Sequence, residues 1–506
     1  MTIADKALPA QWETARLGDV VAILDSQRVP VNATERAKRP GPIPYYGATG
    51  QVGWIDDFLF DEELLLLGED GAPFLEAGKR VAYLIRGKSW VNNHAHVLRT
   101  LGKMPVGFLR YQLNQVEYRP FVSGTTRLKL PQAPMKQIPL LIPPEAEQHR
   151  ISDALDSIFS KLDAAVAALE RVRANLKRYR ASVLKAAVEG RLVPTEAELA
   201  LKEGRDFEPA SALLDRVLAE RRRRWEETEL ARMKIVGKPP KDDRWKSKYK
   251  EPVAPRASAL PELPAGWCWA SIDHLSSEVR YGTSEKTNEN PAGVPVLRMG
   301  NIVDGGLDFT TLKYLPKNHH EFPDLLLADS DLLFNRTNSA ELVGKTAVFK
   351  SRGVPFSFAS YLIRVRLLSD CSPDYISSFL NSFHGRRWIG SVVSQMVGQA
   401  NVNGSKLKNC FIPLPPRAEQ RRIVSEVERL STVIQSNSVS CDLAIIRSRR
   451  LRESILKWAF EGKLVDQDPN DESATVLLER ICAERAAAAP SGKSRKSNTH
   501  EVEAAK

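Results

Sequence analysis

Short polar segments of this sequence carry side chains that could hydrogen-bond to nucleic-acid bases. Arginine can contact guanine with two hydrogen bonds, asparagine and glutamine can contact adenine, and hydroxyls and lysines reach phosphates. The candidates are Asn92, Asn93, Thr125, Thr126, Arg127 and Lys129 in the first half of the chain, and Arg298, Asn301, Arg336, Thr337, Asn338, Ser339, Lys345, Gln399 and Asn401 in the second. The alternative is that these segments are ordinary polar turns that cap strands.

The sequence lacks the motifs of an enzyme or a metal site. Gly-Lys-Ser/Thr occurs at 87–89, 344–346 and 492–494, but the glycine that a phosphate-binding loop needs upstream is absent each time. The Asn/Asp-Pro-Pro-Tyr/Phe motif of adenine methyltransferases is missing too. Neither the 8 histidines nor the 5 cysteines show metal-ligand spacing. We therefore expect no catalysis, no metal and no cofactor on this chain.

A repeat with an offset of 272 residues predicts two long helices. PPEAEQHRI at 143–151 returns as PPRAEQRRI at 415–423, with seven of nine residues identical. YRASVLKAAVEGRLV at 179–193 returns as LRESILKWAFEGKLV at 451–465, with nine of fifteen identical. In the first copy, apolar residues alternate at steps of four and three, which is the seam of a coiled coil.

The ends of both helices are marked in the sequence. Each begins at Pro-Pro, which is tolerated only in a first turn, and Gly190 and Gly462 stand where a left-handed residue would end each helix. About 44 residues with a rise of ~1.5 Å each give roughly 66 Å, so each helix should pair with something. The second copy has Asn437, Cys441 and Ser448 on its seam. Being the weaker helix alone, it is most simply paired with the first.

Other repeats extend the duplication to the whole chain. LPAxW occurs at 8–12 and at 263–267, and a related short helix follows each long one at 210–216 and 474–480. Between them lie regions of short strand-like runs and turn glycines, which predict mixed strand and helix. The predicted domains are a first globular domain 1–142, a long helix 143–192, a short helix and basic linker 193–262, a second globular domain 263–414, a long helix 415–464, and a short helix with a disordered tail 465–506.

Positive charge is concentrated in the linker. The chain has a net charge of +11, and residues 221–250 hold twelve Lys/Arg against five Asp/Glu, a net charge of +7. We expect a solvated and partly mobile linker; Arg221 to Arg224 are either a solvated basic face or a site for phosphate or a partner. No apolar run is long enough for a membrane span and no signal peptide is evident, so we expect a cytoplasmic protein.

These motifs together resemble the specificity subunit of type I restriction–modification enzymes. The resemblance rests on the tandem layout, on PPxAEQxRI leading into a helix that ends EGxLV, and on the globular patterns. IPYYGATGQVGWIDDFLFDEELLLLGEDGA at 43–72 looks like one class of target recognition domain, and VPVLRMGNIVDGG at 294–306 with DLLFNRTNSAELVGKTAVF at 331–349 looks like another. It covers about residues 8 to 480. The basic linker is longer than the family's pattern.

The resemblance implies a fold and a function. The fold would be α/β (α+β): two mixed target recognition domains separated by two long antiparallel coiled-coil helices, in a pseudo-two-fold repeat. The chain would be non-catalytic, with each domain reading one half of an asymmetric bipartite site in double-stranded DNA. The helices would set the spacer; half-sites on one face of DNA lie about 34 Å apart, or ~10 base pairs.

The resemblance also implies partners. Two modification subunits would hold S-adenosylmethionine and methylate adenine, and two restriction subunits would use ATP and Mg²⁺. Because the helix starts match so closely, we expect equivalent partners to dock there. The predicted contact residues are Glu147, Gln148 and Arg150 in one copy, and Glu419, Gln420 and Arg422 in the other.

Two other functions remain open from the sequence. A fused enzyme could both recognise and methylate DNA, and a cofactor titration on the chain alone would reveal it. A scaffold could bind only proteins through its helices, and its complexes would then show no salt-dependent binding of a specific duplex.

Overall fold

A computed structural model gives the fold. The structure describes residues 8–76, 78–255, 260–339, 342–396 and 399–488. They form two compact units: unit 1 contains the described residues up to Leu169 and those from Asp442, and unit 2 contains Glu170–Cys441. Residue 489 and the rest of the predicted tail lie outside the described residues.

The described residues contain both helices and runs of consecutive strands. The helices are α1 Leu17–Val20, α2 Ala33–Arg36, α3 Val106–Leu113, α4 Gln132–Lys136, α5 Glu145–Val188, α6 Glu196–Glu203, α7 Ala210–Ile235, α8 Ile272–Leu275, α9 Pro373–Asn381, α10 Phe383–Val392, α11 Gly404–Lys408, α12 Arg417–Ala459 and α13 Ala474–Ala488. The strands are β1 Glu13–Arg16, β2 Val21–Ile23, β3 Ile43–Tyr46, β4 Gln51–Ile55, β5 Phe60–Asp61, β6 Leu64–Gly68, β7 Ala82–Ile85, β8 Lys88–Val91, β9 Ala95–Thr100, β10 Pro139–Ile142, β11 Cys268–Ser271, β12 Ser276–Tyr281, β13 Val294–Leu297, β14 Ile302–Val303, β15 Gly306–Leu307, β16 Lys313–Leu315, β17 Leu332–Asn335, β18 Thr337–Asn338, β19 Thr346–Val348, β20 Ser357–Phe358, β21 Leu362–Leu367, β22 Ser394–Met396, β23 Gln399–Asn401 and β24 Phe411–Leu414. The mixed α/β class is therefore confirmed.

Unit 1 is built on two four-stranded sheets. One has the order β2-β9-β6-β7 with antiparallel pairs. The other has the order β4-β3-β8-β5, in which β3 and β8 are parallel. Leu64 to Leu67 of β6 are completely buried, as expected of a strand covered on both faces. A separate pair, β1 with β10, lies just before α5.

Unit 2 follows a related plan with different sheets. Its largest sheet has the order β12-β21-β17-β19, and β11 pairs with β24 just before α12, as β1 pairs with β10 in unit 1. A small sheet, β18-β23-β22, has no named counterpart among the strands described in unit 1. The two units therefore share the strand pair that leads into the long helix, a four-stranded antiparallel sheet, and a second sheet with one parallel pair, β3 with β8 in unit 1 and β13 with β20 in unit 2. They differ in the small sheet.

The two long helices end close to where the sequence predicts. Gly190 and Gly462 follow α5 and α12 with φ of 69° and 67°, the left-handed conformation that glycine adopts most easily. A Cβ atom on either glycine would lie within 2.7 Å or 2.6 Å of Pro264 or Pro9. The proline of each LPAxW segment therefore covers the glycine that ends a long helix of the same unit.

Within each unit the long helices pack in opposite directions. In unit 1, Ile151 and Leu155 near the start of α5 share a hydrophobic cluster with Ile455 and Ala459 near the end of α12. In unit 2, Val183 near the end of α5 lies in one cluster with residues at the start of α12. The antiparallel arrangement is confirmed. The predicted seam is incomplete, however, because Val172 and Tyr179 are exposed.

The basic linker is more ordered than the sequence suggests. α7 has 26 residues and reaches Ile235, and a short 3-10 helix occupies Asp243–Lys248. Pairs such as Arg222–Glu226 and Arg223–Glu227 lie one turn apart on α7, a spacing that stabilises helices. The prediction of a short helix followed by a mobile linker is therefore wrong for residues up to Ile235. No helix of the described residues is long and apolar enough to cross a membrane.

Candidate nucleic-acid interface

An open cleft in unit 1 brings together three of the predicted base-contacting residues. Asn92, Thr126 and Arg127 line a cleft of about 680 Å³. Asp70 and His94 line it too, together with apolar residues of the 72–75 segment. Asn92 follows β8, whereas Thr126 and Arg127 lie in a loop before α4. The cleft thus combines donors, acceptors and apolar surface, a composition suited to the edge of a base.

Asp70 organises the charged side of this cleft. Its carboxylate lies 2.7 Å from Nε of Arg127 and 3.9 Å from Nζ of Lys129, and its side chain is only 14% exposed. The Arg127 side chain is 59% exposed. One edge of its guanidinium is therefore fixed by Asp70, and most of the side chain faces solvent. Asp70 was missed in the sequence, where it stands in the unremarkable run Gly68-Glu69-Asp70-Gly71.

The remaining candidates of unit 1 differ in accessibility. Asn92 is 9% exposed, and its Oδ1 accepts a hydrogen bond from the His94 amide at 2.8 Å. It therefore holds its own turn as well as lining the cleft. Asn93 and Thr125 are exposed, but neither lines the cleft.

In unit 2 the small sheet gathers a second polar set. β18 pairs with β23 so that Thr337 lies opposite Asn401, and Asn401 Nδ2 donates to Thr337 Oγ1 at 2.7 Å. Arg336 precedes this strand; its guanidinium lies 4.8 Å from the centre of the Tyr281 ring and donates to the Ser360 carbonyl. The structure thus unites segments that are far apart in sequence.

Other unit 2 candidates lie at the margins of this set or outside it. Asn338 accepts from the Ser339 amide, Lys345 is half-buried in the turn between β17 and β19, and Arg298 is half-buried. The side chain of Gln399 lies outside the described part of the structure, although its backbone belongs to β23.

Asn301 is a buried residue whose side chain bonds within the chain. It is 3% exposed; its Nδ2 donates to the carbonyls of Asp308 and Thr311, and its Oδ1 accepts from the Arg298 amide. Its carboxamide is thus fully used within the chain. A buried asparagine is needed here to close the turn, and a contact between Asn301 and DNA stays a prediction.

The predicted partner contacts at the helix starts are also mostly internal. Glu147, Gln148, Glu419 and Gln420 are all at most 1% exposed. Gln148 and Gln420 each donate to the carbonyl of the first proline of their own Pro-Pro, at 2.8 Å and 2.9 Å. These four residues are therefore used inside each unit, and their contact with partner subunits stays a prediction.

In each unit a tryptophan–glutamate hydrogen bond connects the LPAxW segment to the PPxAEQ segment at the start of a long helix. Trp12 Nε1 donates to Glu147 at 2.9 Å in unit 1, and Trp267 Nε1 donates to Glu419 at 3.0 Å in unit 2. Both contacts are buried. The tryptophan of LPAxW and the glutamate of PPxAEQ are thus one structural device, which the two repeats in the sequence could have revealed had they been considered together.

Arg150 and Arg422, the two arginines among the predicted partner contacts, are partly accessible but form ion pairs within the chain. Arg150 contacts Asp471 at 2.6 Å, and Arg422 contacts Glu196 at 2.6 Å. Each partner belongs to the segment that follows the other long helix in the same unit. These arginines therefore attach the short-helix segments to the helix starts, and their exposed faces remain the part of the predicted partner contact that the structure leaves accessible.

The two buried glutamates should respond differently to conversion into glutamine. Burial raises the pKa of both Glu147 and Glu419. Glu419 accepts two hydrogen bonds, from Trp267 and from the Glu196 amide, whereas Oε1 of Glu147 is buried without a partner in the described structure. Glutamine at position 147 can still accept the hydrogen bond from Trp12 through its carbonyl oxygen. At position 419 both side-chain oxygens accept a hydrogen bond, so the NH₂ group of a glutamine would face either Trp267 Nε1 or the Glu196 amide, both of which are donors.

We therefore expect Glu147→Gln to preserve or raise the thermal midpoint at pH 7, and Glu419→Gln to lower it. A carboxyl with a raised folded pKa disfavours folding above that pKa, and this cost disappears as pH falls below the ordinary value of 4.5. The advantage of Glu147→Gln should accordingly shrink toward about pH 4. Thermal unfolding of both variants at the two pH values measures this; equal behaviour of the variants at pH 7 would contradict the assigned hydrogen bonds.

Other charged clusters are explained by internal pairing. Asp25, Glu69 and His96 lie close enough to hold a metal ion, but the guanidinium of Arg28 contacts Glu69 at 2.6 Å and Asp25 at 3.6 Å. The guanidinium of Arg28 thus already supplies the positive charge that a metal ion would bring to these carboxylates. Arg221 to Arg224 pair with Asp273, Glu226, Glu227 and Glu220, which favours a paired helix surface over a phosphate site at this run.

Comparison with known proteins places these features in a family. The model of the type I restriction modification DNA specificity domain matches residues 9–171 and again residues 278–438. The specificity subunit of the EcoKI enzyme of Escherichia coli K12 is 28% identical over 404 residues, which are 77% of this chain and 74% of that protein. The EcoDI specificity subunit of Escherichia coli is 23% identical over 515 residues, covering 97% and 98% of the two chains.

A solved structure supports the fold. A chain from a study of complex assembly and conformational transition in a type I restriction–modification system superposes with a TM-score of 0.52 at 17% identity, covering 91% of this chain and all of that one. The first match lies in unit 1 except for its last two residues and the second lies in unit 2, and each includes the start of a long helix. The chain belongs to the type I restriction–modification DNA specificity family.

Proposed function

We propose that this chain is the non-catalytic DNA reader of a type I restriction–modification complex. Unit 1 would read one half of a bipartite site in double-stranded DNA and unit 2 the other. The observation that carries this proposal is that each unit contains one copy of the DNA specificity domain while the polar surfaces of the copies differ. One offers a cleft around Asp70 and Arg127, and the other offers a small sheet with Arg336 beside it. Unlike readers imply unlike half-sites.

The chemistry would be carried out by partner subunits. Two modification subunits with S-adenosylmethionine would methylate an adenine in each half-site after flipping it out of the helix. Two restriction subunits with ATP and Mg²⁺ would cleave DNA that lacks the mark, giving a cytoplasmic defence against phage. The long helices would hold the two readers at a set separation, so that their length determines the gap between half-sites.

Salt-dependent binding of a specific duplex tests this proposal. We expect the chain, isolated together with its modification subunits, to retard a duplex that carries the methylated motif. The affinity should fall steeply with salt, because phosphate contacts release counterions. A purely protein-binding scaffold would show no such retardation. A fused methyltransferase would instead bind S-adenosylmethionine as the isolated chain, which a cofactor titration would detect.

Arg127→Ala should alter specificity in one half of the site only. If this guanidinium contacts a base, its loss should cost about 1–3 kcal/mol and relax the preference at one base pair. Recognition in the other half should be unchanged. Ser123→Ala, at an exposed position of the same loop outside the cleft, is the matched control. The measurement is binding to a set of duplexes with single substitutions; an equal loss for all duplexes would make Arg127 a phosphate contact instead.

A further inference from the structure

A strongly basic segment follows the α7 region that packs on unit 2. Residues 231–250, here called the basic arm, contain eight Lys/Arg and two Asp/Glu, a net charge of +6. The chain as a whole has +11. The arm consists of the C-terminal end of α7, the proline pair at 239–240, the 3-10 helix Asp243–Lys248 and the residues that connect and follow them. More than half of the net charge of the chain is therefore concentrated in one short surface segment.

Aromatic contacts hold the arm against α7. The rings of Trp225 and Trp245 are stacked with centres 5.9 Å apart, and Tyr249 lies 5.3 Å from Trp225. Arg221 donates to the hydroxyl of Tyr249 and stacks on its ring. These contacts close the arm into a hairpin on a helix that is itself packed in the unit 2 core through Leu213 and Val217. The arm therefore presents its charges from a fixed base.

Arginines and lysines of this region differ in how they are used. Arg232 pairs with Glu229 and Arg244 with Asp242, as Arg221 to Arg224 do with their own partners. Five lysines of the arm are instead exposed and have no ion pair with any carboxylate of the described residues: Lys234, Lys238, Lys241, Lys248 and Lys250. The positive charge of the arm that no ion pair of the described residues neutralises is thus carried by lysine.

We propose that the basic arm binds the phosphate backbone of DNA without regard to sequence. Lysine ammonium groups act as strongly hydrated point charges that can neutralise phosphates without a fixed geometry. Protein–protein interfaces are depleted in lysine and enriched in arginine and aromatic residues. Here the arginines and aromatic rings are engaged within the chain, which leaves a surface suited to a polyanion rather than to a protein. The proposal rests on the proposed function, since it adds an anchor to the reading of a half-site by unit 2.

Neutralising the five lysines tests the arm. The variant carries Lys234→Gln, Lys238→Gln, Lys241→Gln, Lys248→Gln and Lys250→Gln, and it is compared with the wild type as a complex with the modification subunits. Each phosphate contact contributes about 0.9 to the slope of log affinity against log salt. We expect that slope to fall by two or more, with weaker binding of specific and unrelated duplexes alike and an unchanged methylation motif. The double variant Glu426→Gln with Arg429→Gln, which removes an exposed pair on α12 outside the arm without changing net charge, should retain the wild-type slope.

The possible outcomes distinguish a failure of the proposal for the arm from a failure of the proposed function. If the wild-type complex binds its duplex and the five-lysine variant has the same slope, the arm does not touch DNA although the chain still reads it. If the variant no longer co-purifies with the modification subunits, the arm contacts protein and the proposal is overturned. If the wild-type complex itself shows no salt-dependent binding, the proposed function fails first.

Discussion

Lengthening both long helices by seven residues should widen the gap between the two methylated half-sites while leaving the half-site sequences unchanged. The insertions would follow Leu169 in α5 and Cys441 in α12, where the contacts of one unit give way to those of the other. Seven residues preserve the heptad spacing and add about 10.5 Å of helix. At ~3.4 Å per base pair, the gap should grow by up to about three base pairs.

The readout is the position of methylated adenines in cells that carry the complete system. Seven-residue insertions of a polar sequence at an exposed loop, such as the 317–320 turn, serve as the control and should leave the gap as it was. An unchanged gap with lengthened helices, in a complex that still methylates, would show that the helices do not set the spacer.

Replacing the buried tryptophan of either repeat by alanine should destabilise the unit that contains it. Trp12 and Trp267 are 5% and 8% exposed, and each donates to a buried glutamate. Loss of a buried tryptophan costs about 3–5 kcal/mol, and the glutamate left without its donor adds to this. Trp12→Ala should therefore loosen unit 1, and Trp267→Ala should loosen unit 2.

Hydrogen exchange resolved along the chain distinguishes the two variants. Faster exchange is expected in residues of the affected unit, with little change in the other. Trp54→Ala is the matched control, because Trp54 is 57% exposed and surface substitutions usually alter stability by less than about 0.5 kcal/mol. Uniform loss of protection in both units from a single tryptophan variant would contradict the assignment of these contacts to separate units.

The long helices could be predicted from the sequence because their signals are local. Pro-Pro, the apolar steps and the glycine at the end all act within a few residues, and α5 and α12 begin and end within a few residues of the predicted bounds. The strand orders could not be read in the same way. The parallel pairing of β3 with β8, for example, depends on contacts between distant segments.

The site was predicted by residue type, and type does not reveal burial. Asn301 and Arg336 looked equivalent in the sequence, yet one closes a turn and the other stacks on Tyr281 beside the small sheet. Glu147 and Glu419 were repeated for a reason that was internal to each unit. Repetition shows that a residue is needed in both copies; only the fold shows whether it faces a partner or the core.

In the basic linker the sequence predicted too little order. Its charge and prolines predicted mobility, but Trp225, Trp245 and Tyr249 are spaced irregularly in the sequence and meet only when the chain turns back at the proline pair. Long-range aromatic contacts of this kind outweigh a local preference for disorder. This is why the basic segment has a defined surface.

Sequencing the N6-methylated adenines of a genome that carries this chain with its modification subunits tests most directly whether two unlike readers act in one protein. We expect one motif, made of two different short half-sites that are separated by a gap of fixed length, with one methylated adenine in each half. A palindromic motif would contradict the assignment of different half-sites to the two units, and a continuous motif without a gap would contradict the role of the long helices.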